Sequence, residues 1–302
     1  MDSAVILMST YNGEKYIREQ LDSIFNQTGI KIKVVVRDDG STDTTQAILK
    51  QYEKKYDLTW YTGDNLKSAR SFMDLIYNAP TSKYYAFADQ DDVWDKDKLY
   101  TAINAIKRVK DENVAVMYSC PTRLVDENLK PIKDMSHNYS YTNSFGGSLI
   151  ASNATGCTIV FNRKLLTLMQ QYKGQNLRMH DDLAHKVCCA MGGKLIRDEK
   201  AYISYRQHPN NVVGVNSSWA NKWKFRIERM LRPKCERSKF LLDMYECYGT
   251  SMKKNEKDLL YKVANYKNIP FGRFRVIFDN RLKGSYLKMN FNFRMAILLG
   301  SF

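Results

Sequence analysis

Three apolar runs in the first ninety residues each stop dead at a cluster of polar or acidic side chains. The first, Ala4-Val5-Ile6-Leu7-Met8-Ser9, is continuous and not alternating, as expected of a parallel strand covered on both faces. It ends at Thr10-Tyr11-Asn12-Gly13, after which Tyr16, Ile17, Leu21, Ile24 and Phe25 recur at helical spacing. The second, Lys31 to Arg37 around Val34-Val35-Val36, runs into Asp38-Asp39-Gly40-Ser41-Thr42-Asp43, and Ala47, Ile48 and Tyr52 mark the next helix. The third, Tyr84-Tyr85-Ala86-Phe87, delivers Ala88-Asp89-Gln90-Asp91-Asp92-Val93-Trp94. Such strand-loop-helix alternation restricts the chain to an α/β architecture built on a parallel sheet. Ligands of these sheets bind beyond the carboxyl ends of the strands, so the three polar clusters are predicted to meet at one edge.

Further along, Leu58 to Tyr61 reads as a short strand, followed by a helix around Ser68 to Tyr77 that carries Arg70. A helix from Asp95 to about Lys110 leads to the strand Val114 to Ser119. The segment from Cys120 to Asn153 is polar, with Asn143-Ser144-Phe145-Gly146-Gly147 at its centre, and reads as a long irregular loop suited to contacts with an acceptor. Thr158 to Phe161 is a predicted strand and Leu165 to Met169 a helix. Arg178-Met179-His180-Asp181-Asp182 opens a helix through Leu183, Val187 and Met191. Two short strands follow, Lys194 to Ile196 and Ala201 to Tyr205, and the second delivers Tyr205-Arg206-Gln207-His208-Pro209-Asn210-Asn211 into a loop.

Crowding three carboxylates at the end of a buried strand costs free energy through like-charge repulsion unless a cation neutralises them. Hard divalent ions prefer oxygen ligands, and Mg²⁺ usually binds through one or two carboxylates plus substrate phosphates. The plainer alternative is an acidic loop that caps the helix starting near Asp95. Asp181 and Asp182 at a helix start are equally open to two readings, a cap or a rigidly aimed general base. His208 sits beyond a strand and before a turn-forming Pro-Asn pair, exposed and able to complete a metal shell. His137 and His185 lack such a context and read as structural. Arg70 is a candidate phosphate contact, against the plainer reading of a solvated helix charge.

The formal net charge of +15 is unevenly placed. Residues 215–302 hold 19 Lys/Arg and 7 Asp/Glu, or +12, which leaves +3 for residues 1–214. In the basic third, Trp219, Trp223, Phe225, Met230 and Leu231 interleave with Lys/Arg through Lys239, and Phe271 to Phe293 repeat the pattern. That describes interfacial helices on an anionic membrane surface, or a basic helical region that joins a second copy of the chain. Six cysteines show neither zinc-type spacing nor disulfide density, as expected of reduced thiols in the cytosol. Ala4 to Met8 is too short for a signal peptide, and no stretch approaches the roughly 20 apolar residues of a membrane span. A peripheral position on the inner face of the membrane is the expectation.

Taken together, Asp38-Asp39-Gly40-Ser41-Thr42-Asp43 and Asp89-Gln90-Asp91-Asp92-Val93-Trp94 resemble the motifs of the family 2 glycosyltransferases, especially the bacterial rhamnosyltransferase-like members that build surface polysaccharides. The resemblance starts at Ser9-Thr10-Tyr11-Asn12 and runs through His180-Asp181 to Tyr205-Arg206-Gln207-His208, about the first 214 residues. It implies a GT-A fold, a mostly parallel central sheet flanked by helices, followed by a basic helical appendage over 215–302. It also implies site roles. Thr10, Tyr11, Asn12, Asp38 and Asp39 would serve the base and ribose of a nucleotide, with Gln90 and Arg70 also toward the donor. Asp91 would ligate Mg²⁺ or Mn²⁺ together with His208, Asp89 would lie nearer the ribose and the metal's waters, and Asp92 would face the donor sugar. Asp181 matches the catalytic base; because Asp182 stands where relatives carry an aromatic residue, both carboxylates are candidates.

The implied reaction is a single inverting displacement that carries L-rhamnose from dTDP-rhamnose to a lipid-linked or polysaccharide acceptor, with a UDP-hexose as the alternative donor. A basic nucleic-acid-binding protein is the competing reading from another class. Neither a nucleic-acid module nor tolerance of a polyanion beside the acidic clusters supports it, so no nucleic acid is expected as a partner.

Overall fold

The computed structural model describes residues 1–133, 143–152, 154–208 and 236–302. In chain order these form β1 (Asp2–Thr10), α1 (Ile17–Phe25), β2 (Ile30–Asp38), α2 (Thr45–Glu53), β3 (Leu58–Thr62), α3 (Lys67–Tyr77), β4 (Tyr84–Ala88), β5 (Val93–Trp94) and α4 (Lys98–Lys107). There follow β6 (Val116–Ser119), β7 (Arg123–Val125), β8 (Pro131–Lys133), α5 (Phe145–Ile150), a 3-10 turn at Gly156–Thr158, β9 (Val160–Asn162), α6 (Arg163–Met169), α7 (His180–Ala190), β10 (Lys194–Arg197) and β11 (Ile203–Arg206). The C-terminal part holds α8 (Glu236–Tyr248), α9 (Lys254–Ala264), α10 (Gly272–Ile277) and α11 (Leu287–Leu299).

Seven strands make the central sheet in the order β10-β6-β9-β4-β1-β2-β3. All its pairings are parallel except those of β9, which runs antiparallel to both β4 and β6. The register sets Thr10 beside Asp38 and Met8 beside Ala88, so the polar clusters after β1, β2 and β4 begin at one level of one edge, as predicted. A smaller sheet, β5-β11-β7-β8, lies beyond that edge and supplies the His208 strand.

Side chains of a strand alternate between faces, and here both faces are covered. Val5, Leu7, Tyr85 and Phe87 enter a core with α3, α6 and α7; Ala4, Ile6, Met8, Tyr84 and Ala86 enter another with α1, α2 and α4. That double burial is why the strands read as unbroken apolar runs. The basic C-terminal helices share the first core, to which they contribute Phe240, Met244, Leu260, Val263, Val276 and Ile297. The expected helix at Trp219 to Lys239 lies outside the described residues except for its last few positions, as does the boundary drawn at 214.

One expectation about the chain is corrected. Cys120 to Asn153 is not a single irregular loop: it contains β7, β8 and the wholly buried helix α5, whose cap is Ser144, its side chain accepting from Gly147 N–H at 3.1 Å. Six residues are too few to display a helical period, and Gly146-Gly147 reads locally as a breaker. His137 lies outside the described residues. His185 is fully buried, and that burial pushes its imidazole down to about 4, in keeping with a structural role.

Candidate active site

The nucleotide-side loops are braced by one another. Thr10, buried at the end of β1, donates its hydroxyl to Gln90 Oε1 at 2.5 Å, and Tyr11 N–H donates to the same oxygen at 2.9 Å. Gln90 Nε2 returns a bond to Tyr11 O at 3.1 Å. Gln90 thereby clamps the loop after β4 to the loop after β1, while the Tyr11 ring stays 47% exposed and available for stacking. Asn12 adopts φ 47°, a left-handed conformation in which asparagine is enriched, and its Oδ1 accepts from Thr42 N–H at 2.9 Å.

Asp38 is held within its loop. It has no exposed surface, and its carboxylate accepts from Ser41 N–H at 3.0 Å, Ser41 Oγ at 2.5 Å and Gln46 Nε2 at 2.9 Å. A buried charge needs such compensation, and these bonds tie Asp38 to its own loop. Asp39 is 3% exposed, paired with the buried Arg37, and accepts from Ser71 Oγ at 2.9 Å. Arg37 also meets Asp74 at 3.0 Å. Arg37→Met, which removes the cation and leaves Asp39 buried and uncompensated, is expected to cost about 3–5 kcal/mol in urea unfolding. A loss under about 1 kcal/mol would show that the pair does not hold the loop.

The metal-side residues come together. His208 Nε2 lies 2.7 Å from Asp91 Oδ2, and both side chains retain a little surface, 10% and 17%. Tyr16 stacks on the His208 ring at 5.1 Å between centroids. The sequence reading missed the residue that aims this pair. Arg206, 1% exposed at the end of β11, donates Nε to Asp91 O at 2.8 Å, contacts Glu127 O and Glu19, and gives its backbone N–H to Asp92 Oδ1 at 3.3 Å. Its only local signal was an arginine buried in a strand that otherwise reads apolar. Gln20 Nε2 likewise fixes Asp89 O at 2.9 Å from α1.

Asp92 has no exposed surface and lies beside Cys157 and Lys98. Burial, then the charges of Asp91 and Asp89, push its carboxyl well above the usual range. Lys98 Nζ sits 3.4 Å from the Trp94 ring centroid, and burial brings that ammonium down to about 8. Asp89, Asp92 and Cys157 cluster within 4.8 Å. Burial pushes the Cys157 thiol well above its ordinary pKa, and a protonated thiol is a poor ligand for a hard cation.

Asp181 stands across the Gly156-Cys157 turn from Asp89. A methyl group on Gly156 would lie 3.7 Å from Asp181 Cβ and 2.8 Å from His180 Nε2. His180 is sandwiched at 3.8 Å on Phe72 and edge-on to Phe87, and burial pushes its imidazole down to about 3, so it is a neutral aromatic plate under the helix start. Burial and the neighbouring Asp182 raise the Asp181 carboxyl to about 6. Asp182 differs: although burial opposes ionisation, Lys186 and Arg178 outweigh it and hold the carboxyl below its ordinary range. A cavity of about 220 Å³ opens on this side, lined by Ile150, Arg178, Asp181, Lys186, Arg237 and Phe302 among others. Arg70 lies apart, exposed on α3, with Nη2 3.3 Å from Gln175 O.

The acidic edge fits a divalent cation. Burial, followed by repulsion from Asp91 and Asp181, pushes the Asp89 carboxyl up to about 7, the signature of crowded carboxylates that lack a counter-charge. Asp91 and His208 offer an oxygen and an imidazole nitrogen side by side, a donor set suited to Mn²⁺ or Mg²⁺.

Comparison with known proteins agrees with this geometry. Residues 5–168 match the family described as glycosyl transferase family 2. A dTDP-rhamnosyl transferase, RfbG of Shigella flexneri, is 29% identical over 234 residues, covering 72% of this chain and 77% of that protein. A putative teichuronic acid biosynthesis glycosyltransferase, TuaG of Bacillus subtilis, is 25% identical over 225 residues, covering 72% of this chain and 82% of its own length. Among solved structures, S. aureus TarS 1–349 in complex with UDP-GlcNAc superposes with a TM-score of 0.57 at 18% identity, over 100% of this chain and 90% of that one. The mannosyltransferase PcManGT from Pyrobaculum calidifontis, in complex with GDP-Man and Mn²⁺, gives 0.51 at 16% identity, over 98% and 86%. At these identities the structures speak for the fold alone. With the family match spanning more than half of the 302 residues, the chain belongs to glycosyl transferase family 2, an α/β enzyme of the GT-A fold.

Proposed function

We propose that this glycosyltransferase is inverting and metal-dependent, and that it moves L-rhamnose from dTDP-β-L-rhamnose to a lipid-linked or polysaccharide acceptor at the inner face of the cell membrane. The observation that carries the reading is one edge holding two parts of different chemistry: the Asp91–His208 pair at 2.7 Å, and Asp181 across the Gly156-Cys157 turn with its carboxyl raised to about 6. The rhamnose assignment is supported by the name of the Shigella relative. A UDP-hexose donor is the second reading, favoured by the UDP-GlcNAc complex of the TarS neighbour.

Asp91 and His208 would hold Mg²⁺ or Mn²⁺, which when bound supplies positive charge to the departing diphosphate. Tyr11 offers an exposed ring to the base. Asp181 takes the proton of the acceptor hydroxyl while its oxygen forms a bond to the anomeric carbon and the bond from that carbon to the β-phosphate oxygen breaks. Attack from the face opposite the nucleotide turns a β-rhamnosyl donor into an α-rhamnoside. Asp182, committed to Lys186 and Arg178, is the poorer base; its charge orders the helix start.

A thermal-shift series with dTDP-β-L-rhamnose, UDP-glucose and UDP-GlcNAc, each with and without Mn²⁺, tests the reading, since a ligand that binds only the folded state raises apparent stability. The expected result is a Tm rise with the rhamnose donor that needs Mn²⁺. A rise with a UDP-sugar alone would move the assignment to that donor, and no rise or turnover with any sugar nucleotide would overturn it.

A further inference from the structure

The C-terminal end of the molecule leaves a large apolar surface uncovered. Phe271, Phe274 and Phe278 are 78%, 57% and 75% exposed and recur at a spacing that puts them on one face of α10. On α11, Leu287 and Phe291 are 87% and 62% exposed, while Phe293 and Ile297 are buried, so this helix is apolar toward the core and toward solvent alike. The two helices are tied by Arg273 Nη1 donating to Leu298 O at 2.7 Å. Monomeric soluble proteins seldom expose so many large apolar side chains together.

Backbone conformation adds an independent observation. Phe271 is held at φ 56°, a left-handed conformation that is an outlier for a bulky residue and that glycine adopts without penalty. An exposed aromatic ring kept in a strained backbone, contributing little to the core, points to a use outside the molecule. Charge says what kind. Arg273, Arg275, Lys283, Lys288 and Arg294 are exposed around these rings. Residues 265–302 carry seven Lys/Arg and a single acid, Asp279, which is already paired with Lys262 and Arg281 at 2.6 and 2.7 Å.

We infer that the α10–α11 face docks on an anionic lipid bilayer, its aromatic rings entering the headgroup boundary and its cations meeting lipid phosphates. The inference rests on the reading above that the enzyme works at a membrane, and it names the surface that does so. A second copy of the chain fits less well, because a twofold contact through this face would set its uncompensated positive charge against itself. The arrangement also suits a lipid-linked acceptor: Phe302, just beyond α11, lines the same cavity as Asp181.

The test is flotation of the full chain with phosphatidylcholine vesicles, alone and with about 30% phosphatidylglycerol, at low salt and at about 0.5 M NaCl. Binding is expected only to the anionic vesicles and is expected to fall at high salt. The variant F271G/F274S/F278S should bind at least about tenfold more weakly. The single change F271G should weaken binding while leaving Tm unchanged or raised, because glycine relieves the backbone; misfolding therefore does not mimic the result. If the wild type ignores anionic vesicles, both this surface and the membrane reading fall. If wild type and triple variant bind equally, the surface is wrong and the membrane reading survives. A concentration-dependent dimer in light scattering, lost in the triple variant and with no vesicle binding, would assign the face to a second copy instead.

Discussion

Asp91→Asn is expected to lower kcat/KM on the order of a thousandfold at saturating Mn²⁺, with the fold intact. Several kcal/mol of charge stabilisation on the departing diphosphate depend on a cation that the neutral amide no longer holds. Asn has the same shape as Asp, and the Arg206 contact is to the backbone oxygen of Asp91, so Asn preserves the loop. His208→Ala should lose less, about 10–100-fold, and recover in part as Mn²⁺ is raised, because one ligand of a shell is missing and not its anionic anchor. Steady-state kinetics against Mn²⁺ concentration checks both. Near-native turnover in Asp91→Asn, with unchanged sensitivity to a chelator, would remove this residue from the metal site.

Asp181→Asn should abolish turnover by about 10²–10⁴-fold without weakening donor binding, since a general base acts on the acceptor proton alone. The pH dependence has a definite sign. With the metal-free carboxyl at about 6, the ionised, proton-accepting form grows as pH rises through that value, so single-turnover rates should fall below it. A bound divalent cation nearby favours the ionised form and moves this limb to lower pH. Stability runs the other way. The raised pKa means that the folded state binds the proton more tightly than the unfolded chain, so ionised Asp181 subtracts stability, fully so above about pH 6 and not at all below about 3.8. Asp181→Asn should therefore have an equal or higher Tm at pH 7.5, with the gain vanishing toward pH 4. Asp182→Asn makes the opposite contrast: it strands Lys186 and Arg178 and should lower Tm while retaining the pH limb. An active Asp181→Asn beside an inactive but folded Asp182→Asn would exchange their roles.

Much of the scaffold was written into local sequence. The apolar runs Ala4 to Met8, Val34 to Val36 and Tyr84 to Ala88 call for strands buried on both sides, and the loops that end β1, β2 and β4 share one edge because parallel pairing with right-handed crossovers leaves them nowhere else to go. The acidic loop, the helix start at His180-Asp181 and the position of His208 at a strand end were legible for the same reason: each stands where a regular element stops, and element ends are what periodicity marks. The exposure expected of His208 is instead reduced to 10% by its packing against Tyr16 and Asp91.

What tertiary structure alone decided is the direction and partnership of each charge. Asp91 and Asp92 are neighbours in the chain, yet one turns out to His208 and the other is sealed above Lys98, because Arg206, over a hundred residues away, grips the backbone between them. Asp181 and Asp182 differ in that α7 points the second at Lys186, one turn on, as an ion pair, while Lys186 acts on the first only weakly and burial prevails there. Likewise, composition marked the C-terminal third as basic and aromatic, but packing sorted its side chains into those that complete the core, such as Phe240 and Ile297, and those left facing outward, such as Phe274 and Phe291. Strand and helix periods follow from backbone geometry a few residues long, whereas a carboxylate's pKa and a ring's exposure depend on atoms brought near by the fold, and these no local stretch of sequence contains.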